Sequence, residues 1–151
     1  MTVTSHVGDV IGEQGVDDVH TSILRGAGDT SKGYAMEHAH EVREELREPA
    51  KELRALIPDV MRGYAELSRA ALAPGELPLS TKSLLALVIA VTRECDGCIV
   101  AHSRSCAREG VSRQAVAEAL GVAIMMNGGP ATAWGPRALR SFDEAIEEFR
   151  S

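Results

Sequence analysis

The chain has to build its interior almost without aromatic rings. Five of its 151 residues are Phe, Tyr or Trp, although 44% of the residues are apolar. The core must therefore come from Ala, Leu, Val and Ile, small side chains that reach native packing density when helices approach closely. No stretch alternates apolar and polar residues for long enough to make a strand. The sequence thus predicts an all-α bundle of about six helices. The scarcity of rings also argues against a stacking surface for single-stranded nucleic acid. A formal charge of −6 argues against binding to a phosphate backbone.

The longest uninterrupted apolar run, Leu84 to Val91, is far too short to cross a bilayer, so no membrane span is expected. Neither a Lys or Arg nor an apolar segment of signal-peptide type precedes Arg25, so no secretory signal is expected and the expected compartment is the cytoplasm. In that compartment three cysteines read as redox or metal chemistry rather than as a disulfide framework.

Residues 1–33 hold six glycines (Gly8, Gly12, Gly15, Gly26, Gly28 and Gly33) and an excess of acids, without a sustained period. They read as a flexible tail, with room for one helical turn at Val16–Leu24. Residues 34–151 read as the helical domain. Val42, Leu46, Ala50, Leu53 and Ile57 mark a first helix, which Pro49 is expected to kink. Pro58 suits the first turn of a second helix, stopped by Pro74-Gly75. Ser80 or Thr81 is placed to cap a third, whose body Leu84–Val91 is apolar all round and should be central. A fourth runs from about Cys95 to Arg108 and ends at Gly110. The fifth is capped by Ser112, and the last follows Asn127-Gly128-Gly129-Pro130 to about Phe149.

Chemistry concentrates in Cys95-Asp96-Gly97-Cys98-Ile99-Val100-Ala101-His102. A Cys-x-x-Cys pair brings two thiols within disulfide reach when the first sits at a helix start and the second one turn in. The unpaired amides and the dipole at that end favour thiolate. His102 lies one turn beyond Cys98, roughly 6 Å up the axis, where an imidazole can accept or relay the Cys98 proton. A zinc site of Cys95, Cys98, His102 and Cys106 fails on geometry if one helix carries them. Cys95 and Cys106 would lie ~16 Å apart along the axis, whereas zinc–sulfur bonds are about 2.3 Å. No metal and no cofactor is expected.

These residues, with Lys82 and Leu84 opening an apolar helix, Gly110, Glu118-Ala119-Leu120-Gly121 and Gly128-Gly129-Pro130, resemble the carboxymuconolactone decarboxylase / alkylhydroperoxidase D-like family, in particular its small members with a cysteine pair. The resemblance covers about three quarters of the chain. It implies an oligomeric helical fold, a homotrimer or homohexamer, and thiol-dependent reduction of a hydroperoxide substrate. Carried over, Cys98 attacks the peroxide, Cys95 resolves the sulfenic acid as a disulfide, and His102 serves the proton relay. A dithiol, thioredoxin-like or lipoyl donor would recycle the pair. The family's decarboxylase branch lacks the cysteines, so muconolactone decarboxylation is the weaker inference.

Two positions depart from the family pattern. Where a relay Glu follows the Lys of the apolar helix, this chain has Ser83; where alkylhydroperoxidase D has a His between its cysteines, it has Gly97. The relay then runs through Ser83 and water, or another acid (Glu94 or Glu66) replaces the Glu, or turnover is weak. The alternative to an enzyme is a non-catalytic oligomeric binding module of the same fold. Cys106 reads as a small buried apolar residue rather than a third redox thiol. The Glu37-His38-Ala39-His40-Glu41 cluster reads as a solvated face rather than a di-iron motif, which would need a second Glu-x-x-His. Trp134 reads as a packing or interface anchor, with a wall of the thiol pocket as the other assignment.

Overall fold

The computed structural model describes residues 38–151; the expected tail at 1–33, and Glu37, lie outside that span. Six helices make up the described residues: α1 (His38–Leu56), α2 (Pro58–Ala71), α3 (Leu79–Thr92), α4 (Asp96–Arg108), α5 (Arg113–Asn127) and α6 (Gly129–Arg150). Among the described residues there is no strand, as the missing period-two pattern predicted.

Local chemistry sets most boundaries. Pro58 is the first residue of α2, where its missing N–H costs nothing. The side chain of Ser112 accepts the Ala115 N–H at 3.1 Å and so caps α5. Gly110 and Gly128 take positive φ values of 69° and 64°, which only glycine tolerates freely, and each reverses the chain after a helix. One expectation needs correction. The third helix begins at Leu79 with Pro78 before it, so Ser80 and Thr81 lie inside its first turn rather than capping it. The first helix runs to Leu56 as expected, with Pro49 inside it.

The core is a cluster of small aliphatic side chains from α3 to α6: Leu87 and Val91, Ile99 and Cys106, Val116 and Leu120, with Ala131, Ala138 and the single large ring, Phe142. α4 packs chiefly on α6 and α3. α1 joins through a small separate cluster of Ala39 and Val42 on Val100 of α4. The backbone amide of Ala39 donates to Glu144 of α6 at 3.0 Å, fixing the start of α1.

α3 is central on one face only. Leu87, Ala90 and Val91 are buried, but Leu85 and Ile89 are 51% and 58% exposed, so its all-round apolar surface is not consumed within one protomer. α2 goes further and buries no residue at all. Among the helices it packs only on α1, and Lys82 of α3 donates to the carbonyl of Ala71 at its end, at 3.0 Å, and to that of Ala73 just beyond it, at 2.6 Å.

Candidate functional site

The cysteine pair sits where α3 hands over to α4. The amides of Glu94 and Cys95 still donate back to α3, to Val91 and Ala90, both at 3.1 Å. Glu94 then takes a φ of +54°, an uncommon conformation for a residue with a Cβ, and the chain reverses into α4. Cys95 occupies the cap position of α4, and no side chain caps that helix end. Its first amides are therefore free to face sulfur, the arrangement that stabilises a thiolate. Cys95 and Cys98 are joined as a disulfide with their Cα atoms 5.2 Å apart, within the usual span for such a bond. Cys98 is exposed and Cys95 half-buried, so an incoming molecule meets Cys98 first.

His102, one turn further on, is half-buried, and burial lowers its pKa. The imidazole is therefore neutral near pH 7, the form that can accept a proton. It makes no hydrogen bond or ion pair among the described residues.

The three candidate relay groups are scattered. Ser83 is buried in α3 with 1% of its surface exposed, and its hydroxyl has no hydrogen-bond partner among the described residues. Glu94 is exposed on the turn immediately before Cys95. Glu66 is exposed on α2, and since that helix packs only on α1, nothing within the protomer brings it to the cysteines.

Two contacts beside the cysteines were not legible in the sequence. His38 Nε2 at the start of α1 lies 2.9 Å from Oδ2 of Asp96, which stands between the cysteines. A Cβ added at Gly97 would come within 2.9 Å of Leu46 Cδ1. α1 thus closes one side of the cysteine turn at both of its intervening residues. The partners lie 58 residues apart in the first case, and the packing of Ala39 and Val42 on Val100, with the Ala39 amide on Glu144, brings them together.

Cys106 is fully buried in the core, free, and its pKa is pushed up to about 11 by burial. It is a packing residue, as expected. Trp134 is partly buried against the same core, with the Arg137 guanidinium 4.4 Å above its ring. Of the charged cluster at the start of α1, His38 turns to Asp96 while His40 is exposed. No helix among the described residues is long and apolar enough to cross a membrane.

The family model for the carboxymuconolactone decarboxylase family matches residues 58–141. An uncharacterized protein of Cupriavidus necator is 35% identical over 86 residues, 57% of this chain and 76% of its own length. Uncharacterized protein 4 in the cox locus of Paracoccus denitrificans is 36% identical over 81 residues, 54% of this chain and 73% of its own. The crystal structure of the apo form of a carboxymuconolactone decarboxylase family protein from Legionella pneumophila superposes with a TM-score of 0.69 at 31% identity, covering 72% of this chain and 96% of that one.

Proposed function

The chain belongs to the carboxymuconolactone decarboxylase family, and from that premise we propose that it is a thiol-dependent peroxidase or disulfide reductase working through Cys95 and Cys98. The observation that carries this reading is the exposed Cys98 bonded to Cys95 at an uncapped helix start.

In the reduced protein the Cys98 thiolate attacks the distal oxygen of a hydroperoxide. The O–O bond breaks, Cys98 becomes a sulfenic acid, and the alkoxide leaves as an alcohol after taking one proton. Cys95 then displaces hydroxide from the sulfenic sulfur, giving the disulfide and water. A dithiol donor, lipoyl or thioredoxin-like, returns two electrons and two protons. His102, neutral through burial, accepts the Cys98 proton and passes it to the alkoxide. A reducing cytoplasm is the compartment that keeps such a pair cycling.

We place this chemistry in a homotrimer or homohexamer. The unburied α2 with its exposed Val60, Tyr64 and Leu67, the outer face of α3, and Val122, Met125 and Met126 of α5 are apolar surface that one protomer leaves uncovered and that assembly would bury.

One observation favours a second reading. The orphaned hydroxyl of Ser83 stands where the resemblance calls for a relay Glu, which fits a binding module of the same fold that has lost turnover. The test is stoichiometric. Reduced, desalted protein should consume about one equivalent of tert-butyl hydroperoxide per chain and end with Cys95 joined to Cys98. Unchanged peroxide and two free thiols would leave the binding module.

A further inference from the structure

Beside the cysteine turn lies a groove of about 980 Å³ between α1, α4 and the end of α6. Its rim carries five guanidinium groups, Arg43, Arg47, Arg54, Arg104 and Arg108, against two carboxylates, Glu44 and Glu148. Glu48 and Glu109, just outside the lining, also pair with Arg47 and Arg108, so five guanidinium groups face four carboxylates, a small local surplus of positive charge in a chain whose formal charge is −6. The floor is apolar, made by Leu46, Val100 and Phe149, of which Leu46 and Phe149 are 46% and 50% exposed.

The arginines are not all neutralised within the protomer. Arg43, at 2.9 Å, and Arg104 share the single carboxylate of Glu148. The Arg104 guanidinium, with Arg43 beside it, holds the Glu148 carboxyl below the usual carboxylate range, as a surplus of positive charge would. Arg47 meets Glu44 and Glu48 at 3.2 and 3.7 Å. Arg54 makes no ion pair or hydrogen bond among the described residues. A planar guanidinium beside an apolar floor matches one ligand chemistry well, a carboxylate at the end of a hydrocarbon chain. From Val42 to Arg54 the α1 wall runs ~18 Å, the length of a long acyl chain.

The groove ends beside the redox pair without either cysteine lining it. Gly97, between the two cysteines, and Ala101, one turn beyond Cys98, both line it. We infer that this groove binds a long-chain carboxylate, with the carboxylate on the arginine rim and the chain over Leu46, Val100 and Phe149, so that a hydroperoxide carried on that chain is presented at the Gly97 edge. The identity of the substrate rests on the peroxidase reading above; the binding of the carboxylate does not. In the full step the acid hydroperoxide leaves as the corresponding hydroxy acid, the second peroxide oxygen leaves as water, and Cys95 and Cys98 are oxidised to the disulfide.

The test separates the two claims. Titration of decanoate into the oxidised full-length protein should give saturable binding that weakens with added salt. Decanol should bind at least tenfold more weakly, and Arg47→Gln with Arg54→Gln should weaken decanoate about tenfold, as expected for losing charged hydrogen bonds. The same double variant should lower, by about tenfold, the ratio of kcat/KM for linoleic acid hydroperoxide to that for tert-butyl hydroperoxide. Decanoate binding that depends on the arginines in a protein that consumes no peroxide supports the groove and refutes the peroxidase reading. Peroxide consumption without decanoate binding, or with binding indifferent to the arginines, overturns the groove and leaves the peroxidase. Loss of oligomeric mass in the double variant, with no decanoate binding to the parent, overturns it in favour of a contact between two copies of the chain.

Discussion

His38 Nε2 lies 2.9 Å from Oδ2 of Asp96, so the first residue of α1 is tied to the residue that follows Cys95. A carboxylate this close to two thiols works against thiolate formation, and a bonded imidazole draws its charge away. Asp96→Asn should therefore speed alkylation of the reduced pair by iodoacetamide several-fold. His38→Ala should slow it and cost about 0.5 kcal/mol of stability, as befits a part-exposed pair. Equal alkylation rates in both variants would reduce the contact to an attachment of α1.

Ser83 supplies a prediction of opposite sign for two accounts of the relay. Its hydroxyl is buried without a partner, so Ser83→Ala should be neutral or raise stability by up to about 1 kcal/mol. Peroxide consumption should be unchanged if His102 works without it. A thermal melt beside a peroxide assay distinguishes this from a relay through Ser83, in which the same substitution costs activity. Ser83→Glu should raise turnover only at a cost in stability, because the site is closed to water.

Burial lowers the pKa of His102 below its unfolded value near 6.5. Below that unfolded value the unfolded chain takes up the proton more readily than the folded one. The stability linked to His102 is thus complete above pH 6.5 and declines as the pH falls toward the folded pKa. Melting temperatures recorded from pH 7.5 to 5 should fall in the wild type more than in His102→Gln. Parallel curves would contradict the burial of the imidazole. In the reduced protein the same substitution should slow peroxide consumption by about 10²-fold.

The exposed apolar face of α2 gives the assembly prediction. Light scattering should return a multiple of the 16.1 kDa chain, and Tyr64→Glu with Leu67→Glu should lower that mass. A monomer at micromolar concentration would contradict the proposed assembly.

The helices were legible because their signals are local. Pro58, Ser112, Gly110 and Gly128 act through their own backbone, and the Ala- and Leu-rich pattern leaves no competing strand. The start of α3 departs from the cap pattern: Ser80 and Thr81 resemble caps, whereas Pro78 takes the cap position in an extended conformation, with φ −64° and ψ 156°. The cysteine pair and His102 were legible for the same local reason, since one turn of α4 sets their spacing. His38, Leu46 and the arginines of α1 were not. Their place beside the cysteines depends on how α1 crosses α4, and that is decided by the small contact of Ala39 and Val42 with Val100 rather than by any motif. Glu66 illustrates the converse, a plausible acid in sequence that the fold leaves on a helix packed only against α1.

The most direct test of the central claim is to treat reduced Cys95→Ser and Cys98→Ser variants with one equivalent of hydroperoxide and identify the sulfur species by mass spectrometry. Cys95→Ser should consume the peroxide once and hold a trappable sulfenic acid on Cys98, while Cys98→Ser should leave the peroxide untouched. A sulfenic acid on Cys95 in the Cys98→Ser protein, with an inert Cys95→Ser protein, would reverse the assigned roles. Inert behaviour of both variants and of the wild type would contradict the peroxidase account itself.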